Sequence, residues 1–462
     1  MTGLELNVDL WAQTQFGDCN LGDVRRTRRA VLVAAQVAAD PSGTTPEQTE
    51  AWSDCKAAYR LFGNSKVTFR ALAEPHWRLT RNSLQGRVLL VDDTTAVSFP
   101  KDRQIAGMGI TTDARHPGFL LHSALAVDSS SGQVLGLVAQ TIRHRRLRPK
   151  PETARQRLMR EDRESRLWCD VIDLVGPAPK GVTYTHVCDR GADNFEVFCQ
   201  LVHQDHEWVI RAAQLDRHIL TPSGERQRLD TYLASLPVLG SYELVLRGTA
   251  KHPPRTALLE VRAGAIAMPR PRDTSPFVKS TGIQQIAMHV VEVREIGTPQ
   301  PVEPLHWVLY ARQPVNSFRQ ARQVIADYEQ RPVIEDYHKA LKTGCRVEER
   351  LYETAPRLEA VTGVLSIVAV RLLQLKTVAR TQPECPAAKV VPVRWIDMLE
   401  RVRKGRSRKI TSAYEFYRAL AKLGGFLGRK HDGEPGWITI WRGFEKLQLM
   451  IRGSEATVTK CG

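Results

Sequence analysis

Regular cysteine pairing is missing from this chain. The eight cysteines, at positions 19, 55, 169, 188, 199, 345, 385 and 461, form no CxxC pair and no repeating framework. Reduced thiols in an intracellular protein are therefore expected rather than a disulfide-built secreted fold. The thirteen histidines include no HExxH spacing, which argues against a zinc site. No secretory leader and no run of 18 uninterrupted apolar residues is present, so a cytoplasmic protein with no membrane partner is expected. Internal repeats and extended low-complexity tracts are missing too. Acid is scarce relative to base: 66 Lys and Arg stand against 50 Asp and Glu, a net charge of +16 and a pI near 9.6. Such an excess calls for a polyanionic partner. A ribosome-bound or heparin-like partner would satisfy the charge as well as DNA.

What is present is organised. The 462 residues are enough for two to four domains. Basic residues gather in three places: Arg25, Arg26, Arg28 and Arg29; Arg143, Arg145, Arg146, Arg148 and Lys150; and Arg401, Arg403, Lys404, Arg406, Arg408 and Lys409. The second block reads equally as a solvated loop. Residues up to about 80 are expected to be helical, on the alanine-rich run 30–39 and the segment 54–62 before Gly63-Asn64. From about 86 the periodicity changes. Strand-like runs at 87–92, 118–127 and 133–142 predict an antiparallel meander, followed by a helix near 162–175, a strand at 182–188, a helix near 194–204 and a strand at 208–212. That is the order of a ribonuclease H-like core. Runs at 242–247, 256–262 and 284–294, separated by proline-rich spacers, predict an all-β insertion. The apolar segment 358–376 is expected to be a core helix.

The most informative stretch runs from Tyr328 to Gly344. At roughly 100° per residue, Tyr328, Arg331, Glu335, Lys339 and Lys342 would share an arc of about 80°. Ile334, Tyr337 and Leu341 would face a core. An acid, three bases and a phenol on one face can hold phosphates, although a solvated face laced by Glu–Lys pairs has the same composition. Upstream, the apolar run from Val88 breaks into Asp92 and Asp93, and the β-branched and aromatic run from Gly181 ends the same way in Asp189, as central strands do when they deliver carboxylates to a sheet edge.

The offsets Tyr328, Arg331, Glu335, Lys342 resemble the signature helix of the bacterial insertion-sequence transposases of family four. Asp92-Asp93-Thr94-Thr95 and Asp189-Arg190-Gly191-Ala192-Asp193 resemble that family's first and second acid motifs. The resemblance covers about residues 9–452 and selects Asp93 over Asp92 and Asp189 over Asp193. It implies that Asp93, Asp189 and Glu335 are catalytic metal ligands, for two Mg²⁺ with Mn²⁺ as a substitute. It also implies that Tyr328, Arg331, Lys339 and Lys342 hold end DNA, joined by Arg211, Trp307, Arg25 and Arg26. Trp307 reads equally as an ordinary strand aromatic. Gly191, where a relative has Glu, and Pro332, where a bulky residue is usual, depart from the pattern. Proline is tolerated in a first helical turn, so the regular helix is expected to start near 331 with Tyr328 in the turn before it.

The expected architecture is an α/β chain: a ribonuclease H-like catalytic core with an inserted β subdomain, flanked by helical N- and C-terminal domains. The expected boundaries are 1–80 for DNA binding, 81–370 for catalysis with the insertion at about 213–305, and 371–462 for dimerisation. The expected function is a cut-and-paste DNA transposase. It would act as a homodimer on double-stranded transposon ends and target DNA, through hairpins, in a bacterial cytoplasm and at the nucleoid when DNA-bound. A catalytically silent DNA-binding inhibitor or domesticated regulator is the alternative, and intact acid motifs weigh against it. A ribonuclease H-like resolvase or repair nuclease is disfavoured by the inserted β region and the Tyr-Arg-Glu-Lys segment.

Overall fold

The chain changes near residue 84 from a helical N-terminal unit to a sheet. A computed structural model describes residues 7–111, 116–145, 152–246, 254–298, 302–403, 409–429 and 432–458. Arg146, Arg148, Lys150, Lys404, Arg406, Arg408 and Cys461, named above, and the last residue of the run 242–247 lie outside the described residues.

The N-terminal unit is four helices: α1 (Val8–Phe16), α2 (Val24–Ala39), α3 (Trp52–Phe62) and α4 (Phe69–Ser83). Asn7, Asp23 and Thr68 cap the first, second and fourth by accepting from orphan backbone N–H groups. Helix α2 buries Ala30, Val33, Ala34 and Val37 and leaves Arg25 and Arg28 exposed.

The core sheet follows in the expected order: β1 (Gly86–Ser98), β2 (Pro117–Asp128), β3 (Val134–Arg143), α5 (Leu167–Val175), β4 (Val182–Cys188), α6 (Phe195–His203) and β5 (Glu207–Arg211). Strands β1 to β3 pair antiparallel in sequence, while β4 lies parallel to β1, and β5 parallel to β4. The spatial order β3-β2-β1-β4-β5 is that of a ribonuclease H-like core. Val88 to Val91 and nearly all of β2 are buried, as strands covered on both faces must be.

The segment after β5 extends this sheet. Strands β6 (Val238–Leu246), β7 (Arg255–Pro269), β8 (Gln285–Ile296) and β9 (His306–Ala311) pair antiparallel in succession, and β9 closes onto β5 through Leu309↔Arg211. The insertion is not all-β: short helices at Leu229–Ser235 and Pro276–Ser280 lie within it. Tyr232 and Val278 are buried beside β7 and α6, covering a sheet face that would otherwise stand in water.

Next come α7 (Phe318–Tyr328), α8 (Val333–Lys339), a π-turn at Ala340–Gly344, and α9 (Ala355–Thr381). After these, α10 (Val393–Val402), α11 (Ala413–Leu423) and α12 (Trp437–Val458) form the C-terminal helices. Helix α9 is 27 residues long, well beyond the segment 358–376. It is long and apolar enough to cross a membrane, yet 83% of its most apolar window is buried inside the protein. Gly363 allows its approach to α4, because a Cβ there would stand 2.9 Å from the Phe69 carbonyl oxygen. The expected boundaries at 80 and 370 fall within α4 and α9.

His76 ties the N-terminal helices to the sheet. Its Nε2 accepts from the Leu137 N–H at 3.1 Å, and its Nδ1 lies 2.6 Å from Gln15 Oε1. Nδ1 therefore carries the proton. Burial pushes its pKa down to about 3. A histidine kept neutral in the fold but free to charge near 6.5 when unfolded contributes full stability above 6.5. That contribution is lost as pH falls toward 3. Thermal midpoints measured between pH 7 and 4 are expected to fall, and His76→Gln is expected to flatten the decline. An unchanged slope in the variant would assign the acid sensitivity elsewhere.

Candidate active site

Strand alternation and register bring the first two acids together. Asp92 is paired with Cys188 across the parallel strands β1 and β4, so the next residues, Asp93 and Asp189, meet at the carboxyl edge of the sheet. Successive side chains on β1 point to opposite faces. Asp92 is consequently buried, against His186 Nδ1 and the Cys188 thiol. Asp93 faces the other way. Asp193 is also taken: its carboxylate accepts from the Ala213 N–H at 2.7 Å and pairs with Arg217. Of the four acids in the two motifs, only Asp93 and Asp189 reach Arg331.

Glu335 arrives on α8. The inner face of that helix, Ile334 and Tyr337, is fully buried, and the Tyr337 hydroxyl accepts from Gln140 Nε2 of β3 at 3.0 Å. Asp336 pairs with Lys376 of α9. These anchors orient the outward side chain of Glu335.

All three acids converge on one guanidinium. Arg331 Nη2 lies 2.8 Å from Asp93 Oδ2 and 3.4 Å from Asp189 Oδ2, and Nη1 lies 2.5 Å from Glu335 Oε1. The Arg331 side chain is 15% exposed. Burial works against its charge, but the three carboxylates outweigh it and hold its pKa above the ordinary value. Asp93 is pushed up to about 6, chiefly by burial, with Asp189 and Glu335 adding repulsion that Arg331 and the Thr94 N–H partly offset. Asp189 caps a 3₁₀ turn by accepting from the Gly191 N–H at 2.8 Å.

Among the described residues, no three His, Cys, Asp or Glu side chains are spaced to hold a metal as they stand. The donor chemistry nevertheless fits a hard cation: three carboxylates clustered around a single positive charge. A divalent ion sharing those oxygens would have to take the place of the guanidinium.

The cationic residues distribute differently from the expected helical face. Tyr328 is the last residue of α7, Arg331 lies in the turn between α7 and α8, and regular helix begins only at Val333. Pro332 explains the break, since it cannot donate to the preceding turn. Lys342 falls in the π-turn, where 100° per residue no longer holds, and its Nζ lies 3.4 Å from Glu348. Lys339 is 55% exposed and lies 3.8 Å from Asp336. The five residues are therefore not one helical stripe. Tyr328 instead joins Trp307 and Arg211: its ring centroid is 6.4 Å from that of Trp307, and its phenol, whose pKa burial raises, feels the nearby Arg211 charge. Arg211 also donates to the His306 carbonyl at 3.3 Å.

Arg25 and Arg26 stand at the start of α2, in the N-terminal unit. Arg25 is 85% exposed and pairs with its own cap residue Asp23 at 2.9 Å. Arg26 donates to the Leu21 carbonyl at 2.8 Å, which gives it a structural duty.

Three neighbours of the acids carried no recognisable sequence signal. His338 Nδ1 is 3.9 Å from Asp93 Oδ2, and burial, reinforced by Lys342, keeps the imidazole neutral with a pKa of about 3. His122 bonds Thr94 through Nδ1 at 2.7 Å. Trp168 accounts for Gly191, because a Cβ there would lie 2.7 Å from the indole and 3.0 Å from Asp189 Oδ1.

Residues 9–67 match the family model of transposase DNA-binding domains, and residues 367–460 match that of the Tn5 transposase dimerisation domain. A solved cryo-EM structure of a piggyBac transposase synaptic complex with hairpin DNA is 9% identical, with a TM-score of 0.39, and the match covers 92% of this chain and 83% of that one. With a transposase DNA-binding match at one end and a Tn5 dimerisation match at the other, the chain resembles the Tn5 transposases, and these matches support a DNA transposase.

Proposed function

We propose that this transposase moves DNA by cutting and pasting, with Asp93, Asp189 and Glu335 as its catalytic acids. The observation that carries this reading is the meeting of three acids, drawn from β1, the end of β4 and α8, around one guanidinium. Mg²⁺, or Mn²⁺ in its place, would be held by these three side chains, and two such ions when bound supply activation of the attacking oxygen and stabilisation of the leaving oxygen.

Each step is a displacement at phosphorus that makes one P–O bond and breaks another. Water opens one strand at the transposon end and leaves a 3′ hydroxyl. That hydroxyl attacks a phosphodiester of the opposite strand, releasing the flanking DNA and closing a hairpin; a second water reopens the hairpin, and the 3′ hydroxyl attacks a target phosphodiester, from which the target's own 3′ oxygen leaves. Arg331, Lys339 and Lys342 would hold backbone phosphates as charge-assisted donors, with Tyr328 contributing its hydroxyl. Trp307 and Arg211, beside Tyr328, offer an aromatic face and a cation for a base unstacked at the hairpin tip. The N-terminal helices would grip the repeat, and the C-terminal helices would pair two copies so that each site works on the end bound mainly by its partner.

The test is cleavage of a duplex carrying the inverted repeats that flank the coding sequence. Strand opening that requires Mg²⁺ and is specific to the repeats is expected; binding without cleavage would make the chain a silent DNA-binding protein.

The N-terminal contact has its own signature. Arg25→Ala is expected to weaken repeat binding and to reduce the log–log salt slope by about one unit, since each lost phosphate contact releases one counterion fewer. A slope equal to wild type would place Arg25 outside the interface. Arg26→Ala is expected to cost about 1 kcal/mol of stability as well, because the Leu21 carbonyl loses its donor.

A further inference from the structure

We propose that Arg331 is an internal counter-cation that keeps the three carboxylates closed to divalent metal until a DNA phosphate draws it away, so that metal loading waits for DNA. The proposal rests on the reading of Asp93, Asp189 and Glu335 as metal ligands.

The geometry points to a displaceable plug rather than a permanent strut. One guanidinium spends both terminal nitrogens on all three acids, so the oxygens that a metal needs are already engaged. Its third nitrogen, Nε, is buried with no hydrogen-bond partner. An orphaned donor costs free energy in this pose and none in water or against a phosphate, which favours departure. Arg331 also sits in the turn between α7 and α8, outside regular helix, so the side chain can leave without unwinding either element. By contrast, the buried Arg350 uses Nε and both terminal nitrogens on the carbonyls of Cys345, Gly43 and Pro41, as a structural arginine does.

A phosphate diester is a fitting lure. The planar guanidinium fork matches two phosphate oxygens as well as it matches a carboxylate. Lys342 and Arg211 stand near Arg331's neighbours His338 and Tyr328, where they add to the attraction for a polyanion. Linkage then makes the effect mutual: DNA that withdraws Arg331 raises metal affinity, and metal that occupies the acids frees Arg331 for DNA.

The experiment measures Mn²⁺ binding to the full chain without DNA, by electron paramagnetic resonance of free Mn²⁺, with circular dichroism to confirm folding. Arg331→Ala is expected to bind Mn²⁺ at least about tenfold more tightly than wild type, a modest share of the competition between two cations for the same partly buried anions. Adding Asp93→Asn to that variant is expected to remove the gain. Arg331→Lys keeps one charge but cannot fork to all three acids, so an intermediate affinity is expected; it carries the test if the alanine variant does not fold. With a saturating duplex bearing the flanking repeats, wild type and Arg331→Ala are expected to converge, after subtracting Mn²⁺ bound in an Asp93→Asn chain. Mn²⁺ affinity that depends on Asp93 but is unchanged or weakened in folded Arg331 variants overturns the plug alone. Persistence of the difference with DNA overturns the coupling to DNA. Mn²⁺ binding indifferent to Asp93 in every chain overturns both the plug and the assignment of the acids.

Discussion

Asp93→Asn, Asp189→Asn and Glu335→Gln are each expected to reduce repeat-end cleavage at least about a thousandfold, the several kcal/mol that metal-held charge contributes to phosphoryl transfer. The amides keep the shape and lose the charge. DNA binding should persist, since the N-terminal helices and the cations around the site remain. Stability should change little for Asp93→Asn in particular: burial and two like charges already disfavour its carboxylate, and Arg331 keeps two other acids. Single-turnover cleavage and thermal midpoints of the three variants check this. Cleavage within about tenfold of wild type in any one of them would remove that residue from the set.

The largest effect on folding is expected from the buried ion pair between Arg163 and Glu196. Both side chains are 4% exposed, and Arg163 Nη2 donates to Glu196 Oε2. Glu196 Oε1 also accepts from Ser275 Oγ at 2.9 Å, so the pair joins the approach to α5, the start of α6 and the inserted segment. Glu196→Gln leaves the Arg163 charge buried without its counter-charge, which should cost about 3–5 kcal/mol. Arg163→Met together with Glu196→Leu should recover part of the loss, because two apolar chains leave no orphaned charge although Ser275 Oγ loses its acceptor. Urea denaturation of the single and double variants gives both numbers. A loss under about 1 kcal/mol in Glu196→Gln would show that water reaches the pair. The same loss would leave cleavage chemistry untouched in whatever fraction stays folded, which separates this pair from the acids.

The sheet was legible because its signal is local. Runs of β-branched and aliphatic residues such as Val88–Val91 and Tyr184–Cys188 have few other uses, and their order along the chain implies a ribonuclease H-like core. The inserted strands were equally plain, but the helices Leu229–Ser235 and Pro276–Ser280 were not, being five to seven residues long and stabilised by packing rather than propensity. Helix α9 exceeded its apolar run because polar ends such as Arg380 continue a helix when partners like the Tyr417 hydroxyl and the Pro435 carbonyl receive them.

The segment 328–344 shows where local inference stops. Residue identities and offsets there pointed to the segment that brings Glu335 to the candidate site, and Ile334, Tyr337 and Leu341 are buried as their spacing required. A uniform helix was the wrong geometry for the other face, since Pro332 breaks it before Val333 and the π-turn alters it after Lys339. Trp168 against Gly191, and His338 behind Asp93, have no counterpart in spacing at all. They are neighbours across elements distant in the chain.

By itself, then, the amino-acid sequence determined the strand and helix order, the basic balance, the two acid motifs and the segment carrying the third acid. These depend on periodicity and residue type, which act over a few residues. Tertiary structure supplied the physical reason for the choice within the first motif, through the register that sets Asp92 opposite Cys188 and turns Asp93 to the other face. It also decided that Arg331 meets all three carboxylates across 242 positions of chain, from Asp93 to Glu335. No local rule carries that information, because charge attraction depends on distance in space, and only the folded sheet makes those distances short.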